Sequence, residues 1–273
     1  MLTYLYAFFN DGIYLIKTNQ KFTKKLKYFY LFTKIWVKNS LPFNFKKEKL
    51  FGKTLKIPNY DSFCDMFREL FIHNNYYADI KSEKPVIIDC GANIGIATIF
   101  FKSLYPNSKI YSYEPDPNTF SILKENLKGY NNIVFNNEAL SNKKGSIKFY
   151  VSSKETSGLG MSVFKRQGLD KSINVKTVLL SDKITSKVDI LKLDIEGSEE
   201  FVLDDLLKSK KIRYVERMLI EYHHKIDGRS SRLGPFLDML EKAGFEYQLD
   251  TRCIPLFSEN RFQDILIYAY RSK

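Results

Sequence analysis

The stretch "VIIDCGANIGIAT", residues 86–98, decides how the chain is read. Its first five residues are an apolar run broken only by Asp89, which suits a strand buried on both faces. Gly91 and Gly95 then mark a tight turn, and the pattern predicts a helix over 94–105. Working outward, strands are expected over 85–90, 109–113 and 132–136, with a helix over 117–128. "GSIKFYVS" and "INVKTVLLSD" are β-rich stretches on either side of a Gly/Ser-rich loop at 152–168. "VDILKLDIEG" and "VERMLIEYHH" read as buried strands, with helices over 199–209 and 231–243. "FEYQLD" and "FQDILIYAYR" are adjacent strands and imply an antiparallel edge hairpin. Strands that alternate with helices make a doubly wound α/β sheet.

Three segments are expected: a basic amphipathic helical extension at 1–42, a cap or lid of hairpin and helix at 43–83, and the main domain at 84–273. In the second, "FNFKKEKLFGKTLKIP" reads as a short hairpin, and the helix that follows is capped by Asp61 or Ser62 and stops at Asn74-Asn75. The chain carries a net charge of +12, but residues 1–60 hold twelve lysines against two acids, Asp11 and Glu48, a net +10. The basic character therefore belongs to the N-terminal segment and does not mark the main domain for nucleic acid. Phe22, Leu26, Phe29, Thr33 and Trp36 recur there at helical spacing. Three readings stand open: a helix packed on the main domain with solvated lysines, a basic aromatic face on an anionic membrane, or, last, a contact with nucleic acid. The opening run is broken at Asn10-Asp11-Gly12, and it has neither a basic n-region nor a small-residue cleavage site. A cytoplasmic protein, peripheral on the inner membrane face under the second reading, is the expectation. Cys64, Cys90 and Cys253 show no CxxC or Cys/His pairing, which argues against a disulfide framework or a zinc site.

The glycine turn narrows its own ligand. A phosphate loop needs GxxxxGK[ST], and no Lys or Arg stands between Asp89 and Phe101. A dinucleotide turn needs a glycine for close approach of the pyrophosphate, and Asn93 occupies that position. Asp89 would repel a pyrophosphate and attract a cation. Glu114 follows Gly91 by 23 residues, near the spacing at which a carboxylate grips a ribose diol. S-adenosylmethionine meets both conditions: it has an ammonium, a sulfonium and a ribose, and no phosphate.

"VIIDCGANIGIAT", "YSYEPDP", "NEALSNKKGSIKFYVS", "DILKLDIEGSEEFVL" and "MLIEYHH" occur in that order. As a set they resemble the FkbM-type family of S-adenosylmethionine-dependent methyltransferases, over about residues 43–271. The resemblance implies a seven-stranded, mostly parallel class I methyltransferase (Rossmann-like) sheet with an antiparallel last strand. It also implies O-methylation, often of a sugar hydroxyl in a glycan or natural product. By position it places Asp89, Gly91, Asn93 and Gly95 around the methionine part of the cofactor, and Glu114 on the ribose. It places Glu138 and Ala139 at the adenine, Asp194, Glu196 and Glu199 beside the methyl group, and Glu221 and His223 opposite.

A sugar hydroxyl is a poor nucleophile, so a positioned base helps. His223, at the carboxyl end of its strand, is the first candidate, with Glu221 on the same face to orient the imidazole. Asp194 is the other possible base. Asp194, Glu196 and Glu199 suit a divalent ion in type, but acids at a helix start are also ordinary capping, the reading preferred for Glu199. No metal is assigned. Tyr76 and Tyr77 are candidates for a lid, and the 152–168 loop for a wall of the acceptor site. A nucleic-acid methyltransferase is the second reading, but "DIEG" stands where a [DNS]PP[YFW] turn would serve base-amino chemistry. A non-catalytic membrane-surface module is the third, and the acids retained at the strand ends speak against it.

Overall fold

The N-terminal segment folds as two helices rather than one, α1 (Leu2–Lys17) and α2 (Phe22–Asn39). The computed structural model describes residues 2–18, 20–152, 161–165, 168–226, 231–251 and 263–272, with side chains from residue 8 onward. Tyr28, Leu31, Phe32 and Ile35 form the buried stripe of α2. Of the stripe read from the sequence, Phe22, Leu26 and Phe29 are exposed, Thr33 is half-buried, and Trp36 is half-buried against the core. A hairpin follows, β1 (Lys47–Leu50) and β2 (Lys53–Lys56), turned by Phe51 and Gly52, both at positive φ. Helix α3 (Tyr60–Phe67) is capped by Asn59, whose side chain accepts from the Ser62 N–H at 3.0 Å, so the cap precedes the expected Asp61 or Ser62. The chain continues through a π-helical turn, Arg68–Ile72. Phe71 stacks on Phe67 at 4.7 Å and meets Phe100 edge-on at 5.2 Å. The N-terminal layer and the main sheet therefore share one hydrophobic core.

The main sheet starts with β3 (Val86–Cys90), which leads into α4 (Ile96–Leu104). The helix begins two residues later than expected because Asn93 and Gly95 are both left-handed, at φ 47° and 96°. β4 (Lys109–Tyr113), α5 (Pro117–Asn126) and β5 (Ile133–Asn136) complete the first half. The β-rich stretches form a separate sheet of β6 (Ala139–Leu140), β7 (Gly145–Val151) and β8 (Lys171–Val178). β9 (Ile190–Leu193), α6 (Glu199–Lys208), β10 (Arg217–His224), α7 (Leu233–Lys242), β11 (Phe245–Thr251) and β12 (Gln263–Arg271) follow.

The seven strands run in the order β11-β12-β10-β9-β3-β4-β5. β12 is antiparallel to both neighbours, while β10, β9, β3, β4 and β5 pair in parallel. This is the expected doubly wound class I methyltransferase sheet with an antiparallel last strand. The chain winds outward from β3 to β5 and then returns to β9 on the other side of β3. The carboxyl ends of β3 and β9 thus flank a switch point, where open α/β sheets hold their ligands. Cys64 and Cys90 are buried free thiols, and Cys253 lies outside the described residues.

Candidate active site

A cavity of about 370 Å³ opens at that switch point, within the size range of small-molecule sites. Its floor is the glycine turn. The N–H groups of Gly91 and Ala92 both donate to the Tyr113 carbonyl, at 3.0 and 2.9 Å. A Cβ on Gly91 would stand 1.7 Å from the Asp194 carbonyl oxygen, so only glycine lets the ends of β3 and β9 come this close. Asn93 lines the cavity and donates its N–H to Glu114 Oε2 at 3.0 Å. Gly95 does not line it; a Cβ there would press on Leu123 and Leu127, so this glycine serves helix packing.

Asp89 is not among the residues that line the cavity. It is fully buried below the cavity, where its Oδ2 accepts from Thr98 Oγ1 at 2.6 Å and its Oδ1 lies 3.4 Å from Lys192 Nζ. Its counter-ion is a lysine of the neighbouring strand. Lys192, only 2% exposed, also reaches Asp194 Oδ2 at 3.1 Å and donates to the Gly91 carbonyl at 2.7 Å. Burial disfavours its charge, but Asp194 and Asp89 outweigh that and hold its pKa above the usual lysine value.

Glu114 closes β4 at the cavity wall, 3% exposed, and its Oε1 accepts from the Asp116 N–H at 2.9 Å. Burial pushes its pKa up to about 8 against these backbone bonds. Glu138 lines the next side and accepts from Lys176 at 2.7 Å. Burial would raise its pKa, but Lys176 and Lys183 hold it low. Ala139 packs with Phe149 and Met161 into an apolar wall. Of the 152–168 loop, Met161 and Val163 face the cavity, and Ser162 Oγ donates to the Glu196 carbonyl at 2.8 Å. Residues 153–160 and 166–167 of that loop lie outside the described residues.

His223 sits at the end of β10, buried, with Nδ1 2.8 Å from Glu199 Oε1. The same Glu199 oxygen accepts the N–H groups of Ile195 and Gly197, each at 3.1 Å. Glu199 therefore braces the "DIEG" turn and the imidazole, instead of capping α6. Glu221, the candidate for orienting the ring, lies on the same side of the cavity as His223. It accepts from Tyr76 Oη at 3.4 Å, and burial next to Asp194 drives its pKa well up against the pull of His223. With Nδ1 engaged, His223 Nε2 lies 3.5 Å from Glu196, 3.8 Å from Asp194 and 3.9 Å from Asp264. Burial opposes a charged imidazole, but Glu199 and Glu196 prevail and raise its pKa well above 6.5. Asp194, Glu196 and His223 bring one ligand atom each within 4.8 Å of one another, as do Glu221, His223 and Asp264, so these residues could hold a divalent cation.

Lys192 and Asp264 are among the members of the site that escaped the sequence reading. Lys192 stands out as a charge in the otherwise apolar "ILKL" of β9, a signal that a buried carboxylate must be near. Asp264 is brought beside His223 by the antiparallel register of β12, which no local pattern reveals. Of the two lid candidates, Tyr76 lines the cavity and Tyr77 is 45% exposed away from it.

Residues 89–247 match the family model of the methyltransferase FkbM domain. The chain is 28% identical over 162 residues to "Methyltransferase 1" of Beauveria bassiana, covering 51% of this chain and 65% of that protein. It is 26% identical over 151 residues to "2-O-methyltransferase NoeI" of Sinorhizobium fredii, covering 49% and 62%. It is 25% identical over 150 residues to "Hexuronic acid methyltransferase AglP" of Haloferax volcanii, covering 53% and 59%. The chain thus spans less than two thirds of the length of each of these relatives.

Proposed function

Because the chain belongs to the FkbM methyltransferase family, we propose that it is an S-adenosylmethionine-dependent O-methyltransferase acting on a hydroxyl of a saccharide. The observation that carries this reading is the pairing, across one cavity, of the buried Glu114 with the Glu199-braced His223. The donor set suits the cofactor. Glu114 offers a carboxylate to a ribose diol, Ala139, Phe149 and Met161 offer an apolar slot to a purine, and Asp194 offers negative charge to a cationic centre. No phosphate-binding lysine loop is present in the turn. When bound, S-adenosylmethionine supplies a methyl group on a sulfonium, a good leaving group.

The rest is done by the chain. His223 Nε2 takes the proton of the acceptor hydroxyl, and Glu199 holds the ring in the required tautomer and stabilises the imidazolium that forms. Glu114, Asn93 and Asp194 would hold the cofactor, which would supply the methyl group to that oxygen and keep the C–S electron pair as a neutral thioether. Asp194 and Glu196 steady positive charge near the reacting centre. Tyr76, bonded to Glu221 and stacked with Phe101 at 6.2 Å, forms a rigid aromatic side of the cavity. The saccharide reading draws support from the hexuronic acid named for AglP. The test is incubation with methyl-labelled cofactor and a panel of simple glycosides. The reading expects label on a sugar oxygen with the wild type and almost none with His223→Ala. Label on nitrogen or carbon, or full activity in the variant, would overturn it.

A further inference from the structure

We infer that α1 and α2 form a docking surface for an anionic lipid bilayer. Helix α2 has two apolar stripes, and only one meets the body of the protein. The other exposes Phe22, Leu26 and Tyr30, at 72, 56 and 67%. Helix α1 likewise exposes Phe9, Ile13 and Ile16 at the spacing of one helical face. Phe29, itself on the exposed stripe of α2, packs on Gly12 and Phe8 of α1 and joins the two helices. An aromatic and aliphatic surface of this kind on a basic segment needs a partner that is both apolar and anionic.

The charges specify that partner further. Both acids of residues 1–60 are buried and occupied by the protein itself. Asp11 holds Arg68 and His73, each at 2.7 Å. Glu48 holds Lys34 at 2.6 Å, Lys38 at 2.8 Å and the Tyr60 hydroxyl at 2.6 Å. Neither offsets the outward lysines, of which Lys17, Lys21 and Lys27 are exposed. What faces outward is therefore cationic and apolar together, matching anionic headgroups above acyl chains. No helix among the described residues is long and apolar enough to cross a membrane, so the contact is parallel to the surface. The surface also adjoins the cavity: Arg68, anchored by Asp11 of α1, precedes Glu69 in the cavity wall.

The test is co-flotation of the full chain with vesicles of phosphatidylcholine alone, or of equal parts phosphatidylcholine and phosphatidylglycerol. The wild type is expected to float with the anionic vesicles only, and less so as salt rises. The triple variant Phe22→Ser, Leu26→Ser, Tyr30→Ser should lose more than about tenfold in partitioning. Lys17→Gln and Lys21→Gln should each lose about fivefold. Because all five side chains point outward, the variants should keep the wild-type melting temperature, which separates lost docking from lost folding. Equal flotation with neutral vesicles, no flotation, or a triple variant that floats as well as wild type would overturn the inference. So would a dimer in solution that the serine substitutions abolish, which would make a second copy the occupant. Binding to RNA or DNA that the lysine variants lose and the serine variant keeps would likewise contradict it.

Discussion

Glu199 Oε1 lies 2.8 Å from His223 Nδ1 and thereby turns Nε2 toward the cavity. A base held this way works only when deprotonated, and its carboxylate neighbours favour the protonated ring. The rising limb of kcat/KM against pH is therefore expected above 6.5 in the wild type. Glu199→Gln removes a negative charge, so the imidazole loses its proton more readily and the limb moves to lower pH. The same change weakens stabilisation of the imidazolium, and kcat should fall by about 10²-fold. A pH–rate profile of both proteins checks this, and an unmoved limb would detach Glu199 from the base.

Glu114 is the place where fold and function pull apart. Its folded pKa of about 8 lies above the unfolded carboxylate value of about 4.3. Between those values the folded state binds the extra proton, so this group's contribution to stability falls as pH rises. Glu114→Gln should melt near the wild-type temperature at pH 4 and higher than the wild type at pH 8. It should also bind S-adenosylhomocysteine about tenfold or more weakly, through the lost carboxylate contact to the ribose. Thermal melts at the two pH values, with ligand titration, separate the two effects.

Lys192 and Asp89 form an ion pair with almost no access to water. Removing one partner strands the other, at a cost of about 3–5 kcal/mol. Lys192→Met should thus destabilise strongly in urea titrations. Adding Asp89→Asn should recover part of the loss, since an amide tolerates burial that a carboxylate does not. A double variant no more stable than Lys192→Met would contradict the pairing.

The sheet was legible because its central strands are buried on both faces. "VIIDC" and "ILKL" read as apolar runs, and the strand over 109–113 occurs as expected. What the sequence could not settle is where a polar side chain points once the strand is placed. Asp89 lies one residue short of the turn, yet its carboxylate packs under the cavity on Thr98. Glu199 sits at a helix start, where capping and a bond to His223 look alike until the "DIEG" turn folds back over it. Asp264 depends on register across β10 and β12, a non-local fact. The two stripes of α2 show the same limit: periodicity reveals an apolar face, and tertiary packing decides which one is buried.

The central claim is that the Gly91–Glu114 side of the cavity holds S-adenosylmethionine, and isothermal titration with its demethylated product tests it most directly. The wild-type chain is expected to bind S-adenosylhomocysteine at one site with micromolar affinity and to show no heat with NAD. A folded protein that binds NAD, or that binds neither ligand, would contradict the account.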